Sequence, residues 1–555
     1  MPKSHVPFVA TQNLNHLGLV ASTIKELGIP EQIDQTLGSE KSQVTKYVKV
    51  SECVSAMILN GLGFANQALY MVPNFFENKP LDRLINSGVK AEFLNDDALG
   101  RCLDIIAEED PTKFFANIAF PIGINRKYRR RFARLDSTTF SVEGKYEGFG
   151  NSPEEDPQLI EINYGHSKKH RPDLKQIVLS MVSSGDAGFS FWAEPLSGNA
   201  SDKKSFHETI AKVQEFQKEI GDAEPFYWTA DSALYSKTHL LKGSVKFFWI
   251  SRVPETIKEA QEIVSRPEKA FQWQTLENGY KVSSMESNYG DIPQRWLLVS
   301  SQQAYDSEVE TMKKQIKKEF EASENDLWHL SNEEFACVPD AMKKFREVVE
   351  KFKFHLAANY EIKTEPKFKT SGRPKVDEKP VRTVIRIVST IKENKKAIAK
   401  TKLTKGRFIL ATNDLNQESL PDDQILREYK GLQKVERGFR FLKDPWFLLD
   451  KLYLKTPNRI AALTAIMALC LMVYNVAEYE LRRSLKEGNL TLPNQLKKAV
   501  TNPTLRWIFQ MMDGITIITM KVGRSVQTLV SNITDLRAKI IHLFGKHAEE
   551  IYGIH

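Results

Sequence analysis

The stretch FARLDSTTF, residues Phe132–Phe140, marks the point where the sequence pattern changes from helices to strands. It follows the basic run Lys127–Arg131, which we take as a boundary, and its apolar and hydroxyl side chains predict a strand. Asp136 places a carboxylate among these small and apolar residues, which costs free energy unless the carboxylate is paired or binds a metal. The stretch therefore predicts both the start of a sheet and a candidate functional residue.

The residues after this strand predict a mixed α/β layer with polar residues at the strand ends. A helix is expected from about Lys203 to Ile220, because its apolar residues fall on one face. Further strands are predicted at Ile160–Tyr164, Gln176–Val182, Phe189–Glu194, Phe226–Ala230 and Val245–Ile250. Asp231 directly follows the strand that ends at Ala230, so a second carboxylate stands at a strand end.

The residues before the boundary, 1 to about 125, have apolar residues at helical spacing. Helices are predicted at Leu17–Leu27, around Val54–Leu59 and from Asn95 to about Ala107. A helix, a glycine turn at Gly61–Gly63 and another helix are compatible with a helix-turn-helix DNA reader, and equally with an ordinary helical bundle.

Residues 253–405 interrupt the α/β pattern and contain a strongly basic block. Lys363–Arg407 holds 15 basic and 4 acidic residues, whereas the whole chain has a net charge of only +8. Such a block suggests a surface that faces a polyanion, although a solvated lysine-rich linker has the same composition. Ser371–Pro374 is expected to be a loop, and the core pattern resumes with a strand at Arg407–Thr412 and a helix at Pro421–Lys443.

Composition excludes several classes of protein. The chain has 555 residues, of which 41% are hydrophobic and 27% charged, so it is long enough for several domains and is not broadly disordered. Its 4 cysteines are scattered without a CxxC pair, which argues against a disulfide scaffold and fits a reducing cytosol. We expect no secretory signal after Met1. Ile460–Ala477 carries no charge, and we interpret it as a buried core helix rather than a membrane span.

Asp136 and Asp231 are expected to lie near each other in the sheet. Two carboxylates in such positions need a cation, and oxygen ligands suit Mg²⁺ or Mn²⁺. Each aspartate taken alone could equally be an ordinary strand-end residue.

Tyr429, Glu436 and Lys443 are spaced seven residues apart within the predicted helix Pro421–Lys443. Seven residues make nearly two helical turns, so the three side chains share one face. The same pattern would arise from a solvent-facing stripe on an amphipathic helix, with Val435, Phe439 and Leu442 on the core side.

Together these residues resemble the catalytic core of DDE transposases, and more narrowly a bacterial insertion-sequence group with the signature Tyr-(2)-Arg-(3)-Glu-(6)-Lys. Tyr429, Glu436 and Lys443 match three of its positions, but Leu432 stands where the family has Arg. The segments LDSTTF, TADSALYS, Gly165–Gln176, Gly198–Asp202 and Met57–Phe64 are also similar to that family.

The resemblance implies an α/β fold: a ribonuclease H-like mixed sheet flanked by helices, with a helical N-terminal domain and an inserted α+β domain. The expected divisions are 1–125 for a helical domain with possible DNA binding and 126–252 for the first part of the catalytic core. Residues 253–405 would form the insertion domain with the basic block, and 406–555 the second part of the core with the C-terminal helices.

The resemblance also implies a catalytic site in which Asp136, Asp231 and Glu436 hold two Mg²⁺ or Mn²⁺ ions for in-line attack on a phosphodiester. Tyr429 and Lys443 would contact DNA phosphate, and Lys434 or Arg440 would compensate for Leu432. The expected partners are double-stranded DNA at the element ends, target DNA and a second copy of the chain in a synaptic complex. No membrane is expected, and the location would be the bacterial cytoplasm.

Four other interpretations were weighed. Phe408 is a core residue or, as in some relatives, an aromatic that stacks on a flipped base. His166 and His170 have a spacing that zinc sites use, but without a third ligand we interpret them as part of a basic loop. A catalytically silent DNA-binding protein derived from a transposase is the alternative function, and glycoside hydrolysis by a carboxylate pair is remote.

Overall fold

The computed structural model describes residues 8–64, 69–142, 146, 159–165, 171–236, 247–277, 279–369, 379–444, 454, 456–522 and 525–554. The chain has a mixed α/β fold and divides into two compact units. The first unit contains Met1–Ser251 together with Leu426–His555, and the second contains Arg252–Ile425. Ser371–Pro374, His166, His170 and the start of the strand predicted from Val245 lie outside the described residues.

The first unit begins with one strand and seven helices. In chain order they are β1 Phe8–Asn13, α1 Leu17–Leu27, α2 Ile29–Lys41, α3 Val50–Leu62, α4 Val72–Phe76, α5 Leu81–Leu84, α6 Asp96–Glu108 and α7 Pro111–Asn125. The side chain of Asn95 caps α6 by accepting a hydrogen bond from the Ala98 amide, as its sequence predicts.

Helices throughout residues 1–125 were expected, and this is wrong for β1. This strand pairs antiparallel with a strand near the C-terminus, Thr516–Val522 (β15), with Phe8 opposite Lys521 and Asn13 opposite Thr516. Local periodicity could not reveal the strand, because its hydrogen-bonding partner lies about 500 residues away in sequence.

The first unit is built on a mixed sheet that begins at FARLDSTTF. Its strands are β2 Phe132–Val142, β3 Lys175–Ser184, β4 Phe189–Leu196, β5 Tyr227–Ala230 and β6 Phe248–Arg252, arranged in the order β4-β3-β2-β5-β6. β2 pairs antiparallel with β3 and parallel with β5, while β5 pairs parallel with β6. The helix α8 Asp202–Glu219 connects β4 to β5, as predicted.

The prediction of a strand at Ile160–Tyr164 is wrong. Only Asn163 forms an isolated bridge, to Gln176 at the start of β3. The segment is held by loop contacts instead, since the Gly198 amide donates to the Glu161 carbonyl and the Ser197 hydroxyl accepts from the Glu161 amide.

The last quarter of the chain returns to the first unit at Leu426. Its elements are α13 Asp422–Lys430, α14 Leu432–Leu442, α15 Pro457–Glu487, β13 Leu492–Pro493, β14 Ala499–Val500, α16 Leu505–Met511, β15 Thr516–Val522, β16 Ser525–Ser531, α17 Asp535–Leu543 and α18 Lys546–Tyr552. The prediction of a single helix at Pro421–Lys443 is wrong, because the segment forms two helices, α13 and α14, that are separated at Gly431.

The long helix α15 forms the apolar centre of the first unit. The helix is long enough to cross a membrane, and its most apolar 18-residue stretch has a mean hydropathy of 2.1. However, 89% of that stretch is buried inside the protein. It packs against α1, α3, α6, α7 and β4. The prediction of a buried core helix at Ile460–Ala477 is confirmed.

The second unit has strands and helices of its own. They are α9 Lys258–Val264, β7 Gln274–Thr275, β8 Lys281–Ser287, β9 Gln294–Ser300, α10 Gln302–Asn332, α11 Val338–Val349, β10 His355–Lys367, β11 Arg382–Glu393, α12 Lys395–Leu403 and β12 Arg407–Thr412. β12, β9, β8 and β7 pair antiparallel in that order. A separate apolar cluster, which includes Leu327, Phe345 and Ile387, joins the β10–β11 ribbon to α10 and α11.

Candidate active site

The parallel pairing of β2 with β5 determines where the two aspartates lie. Phe132 is opposite Tyr227 and Arg134 is opposite Thr229. Asp136 lies two residues beyond the last of these pairs on β2, and Asp231 lies two residues beyond it, directly after the end of β5. Both aspartates therefore follow the paired stretch of two neighbouring parallel strands.

Local hydrogen bonds hold both aspartates. The Asp136 carboxylate accepts from the Ser137 amide at 2.7 Å, and the side chain is half-buried. The Asp231 carboxylate is exposed and accepts from the Ala233 amide at 2.8 Å, which makes a tight turn directly after β5. The Ser251 hydroxyl donates to the Asp231 carbonyl at 2.6 Å and thereby fixes the turn to β6.

A third aspartate, Asp202, lies close to the same strand. The Ser137 hydroxyl donates to the Asp202 carboxylate at 2.5 Å, which ties the first residue of α8 to β2. Ser137 alternates with Asp136 along β2, so this contact lies on the opposite face of the strand, and Gly198–Asp202 was among the segments that resemble transposases.

The helix α14 lies along β2 and is anchored at both ends. At its start, the Gly431 backbone packs so closely on the Arg134 guanidinium that an added Cβ would lie 2.2 Å from Nε. At its end, Lys443 donates a hydrogen bond from Nζ to the Thr138 hydroxyl, and Nζ lies 5.5 Å from the centre of the Phe140 ring. These contacts place α14 over the strand that carries Asp136.

Asp136 lies between the two anchors of α14 on the same face of β2. Arg134, Asp136 and Thr138 are alternate residues of one strand, so their side chains project to one side of the sheet. Glu436 lies near the middle of α14 with an exposed side chain. Glu436 is thus carried by the helix that packs on β2, the strand that contains Asp136.

The residues on the core side of α14 explain why the helix packs in this way. Val435, Phe439 and Leu442 are buried, as the amphipathic pattern predicts. Gly438 lets the helix approach α15, because an added Cβ there would lie 2.9 Å from the Leu471 side chain. Leu432 is also buried, with 7% of its surface exposed, so the position where the family has Arg is part of the core in this chain.

The other predicted DNA contacts differ in their surroundings. Tyr429 is half-buried near the end of α13, and Arg440 is exposed on α14. Lys434 donates to the Asp186 carbonyl at 3.0 Å and to its carboxylate at 3.1 Å. The hydrogen bond from Lys434 holds the pKa of the Asp186 carboxyl below its ordinary value. Lys434 is therefore already engaged with the turn between β3 and β4.

A buried ion pair beside the site was not predicted. The Arg134 guanidinium donates to the Glu428 carboxylate at 2.6 Å and to the Gly185 carbonyl at 2.8 Å. Only 5% of the Arg134 side chain and 11% of the Glu428 side chain are exposed. Arg134 is a charge within a predicted strand, but nothing in the sequence could match it with Glu428 across nearly 300 positions.

The donor set suits hard divalent cations, since carboxylate oxygens are the ligands that Mg²⁺ and Mn²⁺ prefer. The β2–β5 register supplies two of these carboxylates. Within the described residues, no three His, Cys, Asp or Glu side chains are grouped closely enough to hold one metal ion together. The geometry therefore offers an aspartate pair, with Glu436 carried by the neighbouring helix.

Residues 127–473 match the family described as the transposase DDE domain, and this match covers more than half of the chain. The chain belongs to this family. It is a transposase by family, and all seven predicted site residues lie within its DDE domain.

Three further comparisons were made with the chain. Residues 9–120 match a second family, described as a domain of unknown function (DUF4277). Among solved structures, a cryo-EM structure of a piggyBac transposase synaptic complex with hairpin DNA is 10% identical in sequence. That alignment covers 90% of this chain and 81% of the other, with a TM-score of 0.35. No curated protein matched the chain.

Proposed function

We propose that this transposase cuts and joins DNA at the ends of an insertion sequence, by a metal-dependent, in-line attack on a phosphodiester. One observation carries the proposal. The parallel β2–β5 pairing runs toward Asp136 on β2 and Asp231 directly after β5, and α14, which packs on β2, carries Glu436.

The architecture of the first unit supports a ribonuclease H-like core. Asp136 lies on β2, the third of the five consecutive strands β4-β3-β2-β5-β6 of the first unit, and helices pack against these strands. The spacing of Tyr429, Glu436 and Lys443 supports membership of the bacterial group with the Tyr-(2)-Arg-(3)-Glu-(6)-Lys signature. Leu432 departs from this signature, because its side chain is apolar and buried and cannot contact a phosphate.

Asp136, Asp231 and Glu436 are the residues that we expect to hold Mg²⁺ or Mn²⁺. When bound, two such ions would activate the attacking water or 3′-hydroxyl and stabilise the leaving oxygen. The hydrogen bonds from the Ser137 and Ala233 amides orient the two aspartates before any ion arrives. Preorganised charges of this kind need no rearrangement when negative charge develops on the phosphate.

The cations around the site have separate roles in this proposal. Lys443 is fixed by Thr138, so its positive charge is held beside the strand that carries Asp136. Arg440 is exposed and therefore accessible to a DNA phosphate, whereas Lys434 would have to leave Asp186 to make such a contact. We accordingly assign the compensation for Leu432 to Arg440 rather than to Lys434.

The expected partners follow from this chemistry. The substrates are double-stranded DNA at the element ends and target DNA, and a homodimer would hold two ends together in a synaptic complex. The protein would act in the bacterial cytoplasm, in association with DNA.

The test is a cleavage assay on labelled DNA that contains the terminal repeats flanking the gene, with either Mg²⁺ or EDTA present. The parent protein should cleave at the element ends only with Mg²⁺, and Asp136→Asn should lower the rate by about 100-fold or more. Asp82→Asn is the matched control, because Asp82 is an exposed aspartate on α5 whose change removes the same charge.

Full cleavage by Asp136→Asn would overturn the proposed mechanism. Binding of the terminal DNA by the parent protein without cleavage in any metal would favour the alternative, a silent DNA-binding descendant of a transposase. The buried Leu432 is the observation that keeps this alternative in the test.

A further inference from the structure

The second unit contains a large cavity whose lining is strongly charged. It has a volume of 1190 Å³ and lies among α9, α12 and the start of β12. We call it the basic groove and define it by its six cationic side chains, which are Arg252, Lys258, Lys353, Lys400, Lys405 and Arg407. Three carboxylates also line it, those of Glu255, Glu262 and Glu308. Positive charges therefore outnumber negative charges by two to one.

The ion pairs within the groove leave part of this positive charge uncompensated. Arg252 pairs with Glu255, and Lys405 pairs with Glu308 at 3.7 Å. Lys258, Lys353 and Lys400 are exposed, and none of them forms an ion pair with another residue in the described part of the chain. These three lysines come from three separate segments, yet all of them line one cavity.

The walls of the groove are fixed by contacts that do not involve these lysines. The Arg407 guanidinium donates to the Val264 carbonyl at 3.2 Å and to the Arg266 carbonyl at 2.7 Å, which joins the end of α9 to β12. Gly406 has a φ of +68°, and an added Cβ there would lie 2.7 Å from the Ser301 carbonyl oxygen. The Lys405–Glu308 pair joins the end of α12 to α10.

The arrangement of the lysines has an electrostatic consequence. Lys258, Lys353 and Lys400 line one cavity and form no ion pair in the described part of the chain, so their like charges repel one another. Anions that enter the groove would reduce this repulsion, and a chain of regularly spaced negative charges would contact several lysines at once.

We propose that the basic groove binds the sugar-phosphate backbone of DNA. Lysine ammonium groups act as point charges toward phosphate and carry no base preference, so the contact would be independent of sequence. The inference rests on the proposed function only in taking DNA as the polyanion. The groove belongs to the second unit, whereas Asp136, Asp231 and Glu436 belong to the first.

The test measures binding of a labelled duplex by fluorescence anisotropy, in EDTA, over a range of salt concentrations. Replacement of Lys258, Lys353 and Lys400 by Gln should weaken binding by at least about ten-fold near 0.1 M salt. The slope of log K against log salt should fall in magnitude by about 2.7, because each lost phosphate contact removes about 0.9.

The matched control replaces Lys314, Lys317 and Lys318 by Gln. These exposed lysines lie on α10 in the same unit but outside the groove, so the change in net charge is identical. An unchanged salt slope in the groove variant would overturn the proposal, and so would an equal loss in the control. A groove variant that instead loses affinity for inorganic phosphate, with duplex binding intact, would replace DNA by a small phosphorylated ligand.

Failure of this proposal can be told apart from failure of the proposed function. Asp136→Asn should keep the parental salt slope and lose cleavage. The groove variant should cleave at the parental rate once its concentration saturates the DNA. Each result can therefore be obtained without the other.

Discussion

Arg134 is the residue that connects the sheet to the helices around the candidate site. It lies two positions before Asp136 on the same strand face, and its guanidinium bonds Glu428 on α13 and the Gly185 carbonyl. A buried ion pair of this kind adds little to the stability of the fold compared with a well-packed apolar pair. The loss of one partner, however, leaves the other as a buried charge without compensation. Its effect is therefore to fix where α13 and α14 lie along β2.

Arg134→Met should lower the free energy of unfolding by about 3–5 kcal/mol, because Glu428 would stay buried without its partner. Arg134→Met combined with Glu428→Gln should recover much of this loss. The measurement is the midpoint of chemical denaturation for the parent, both single variants and the double variant.

Lys313→Met is the control for this cycle, since Lys313 and Glu310 form an exposed pair on α10. Its cost should stay below about 1 kcal/mol. Equal costs for the buried and the exposed pair would show that Arg134 does not hold the helices in place.

At the scale of secondary structure, the division of the predicted helix at Gly431 is the most informative difference. The backbone of Gly431 has helical dihedral angles, φ −60° and ψ −20°, so nothing in its conformation requires glycine. The requirement is steric, because the Arg134 guanidinium occupies the space that a side chain would need. A helix-favouring sequence pattern cannot reveal such a contact.

Gly431→Ala should therefore destabilise the protein by about 1–3 kcal/mol, the range for added volume in a packed site, despite the better helix propensity of alanine. The thermal unfolding midpoint should fall, and cleavage should fall with it because α14 carries Glu436. Gly438→Ala is the control, because its added Cβ would contact only the flexible end of the Leu471 side chain, at 2.9 Å. A Gly431 variant as stable as the Gly438 variant would contradict this account.

Elements with a strong local pattern could be predicted from the sequence. The strand FARLDSTTF, the helix beginning near Lys203 and the buried helix at Ile460–Ala477 are present close to the expected positions. Elements determined by distant partners could not be predicted. β1 pairs with β15 across the length of the chain, and Ile160–Tyr164 has the composition of a strand without a neighbour along which to pair.

The candidate site shows the same division. Asp136 and Asp231 were predicted to lie near each other in the sheet, and the strands that contain or precede them, β2 and β5, do pair in parallel. The partners of the cations could not, since Lys443 meets Thr138 and Lys434 meets Asp186 through contacts that depend on how α14 packs. The sequence spacing identified the candidate residues, whereas the packing of α14 determines which of their side chains form hydrogen bonds within the protein.

At the scale of the whole molecule, the N-terminal helices depend on α15 for their core. α1, α3, α6 and α7 all pack against this helix, which comes more than 300 residues later. The interior surfaces of these helices are apolar, and residues such as Met57, Leu103 and Phe115 are fully buried. A fragment of residues 1–125 should therefore lack a cooperative unfolding transition, although the same helices unfold cooperatively in the full chain.

Circular dichroism during thermal unfolding, together with amide hydrogen exchange, would measure this difference. A fragment that unfolds in one sharp transition, with protected amides in α3 and α6, would contradict the dependence on α15.

The late position of α15 also sets an order of events during synthesis. At about 5–20 residues per second, a ribosome needs on the order of 20–70 s to extend the chain from Asn125 to Glu487. During that interval the apolar faces of α3, α6 and α7 have no permanent neighbour, so the nascent chain should recruit chaperones that recognise exposed hydrophobic segments. A message cut short before codon 457 should then yield a product cleared by proteases, rather than a stable truncated protein.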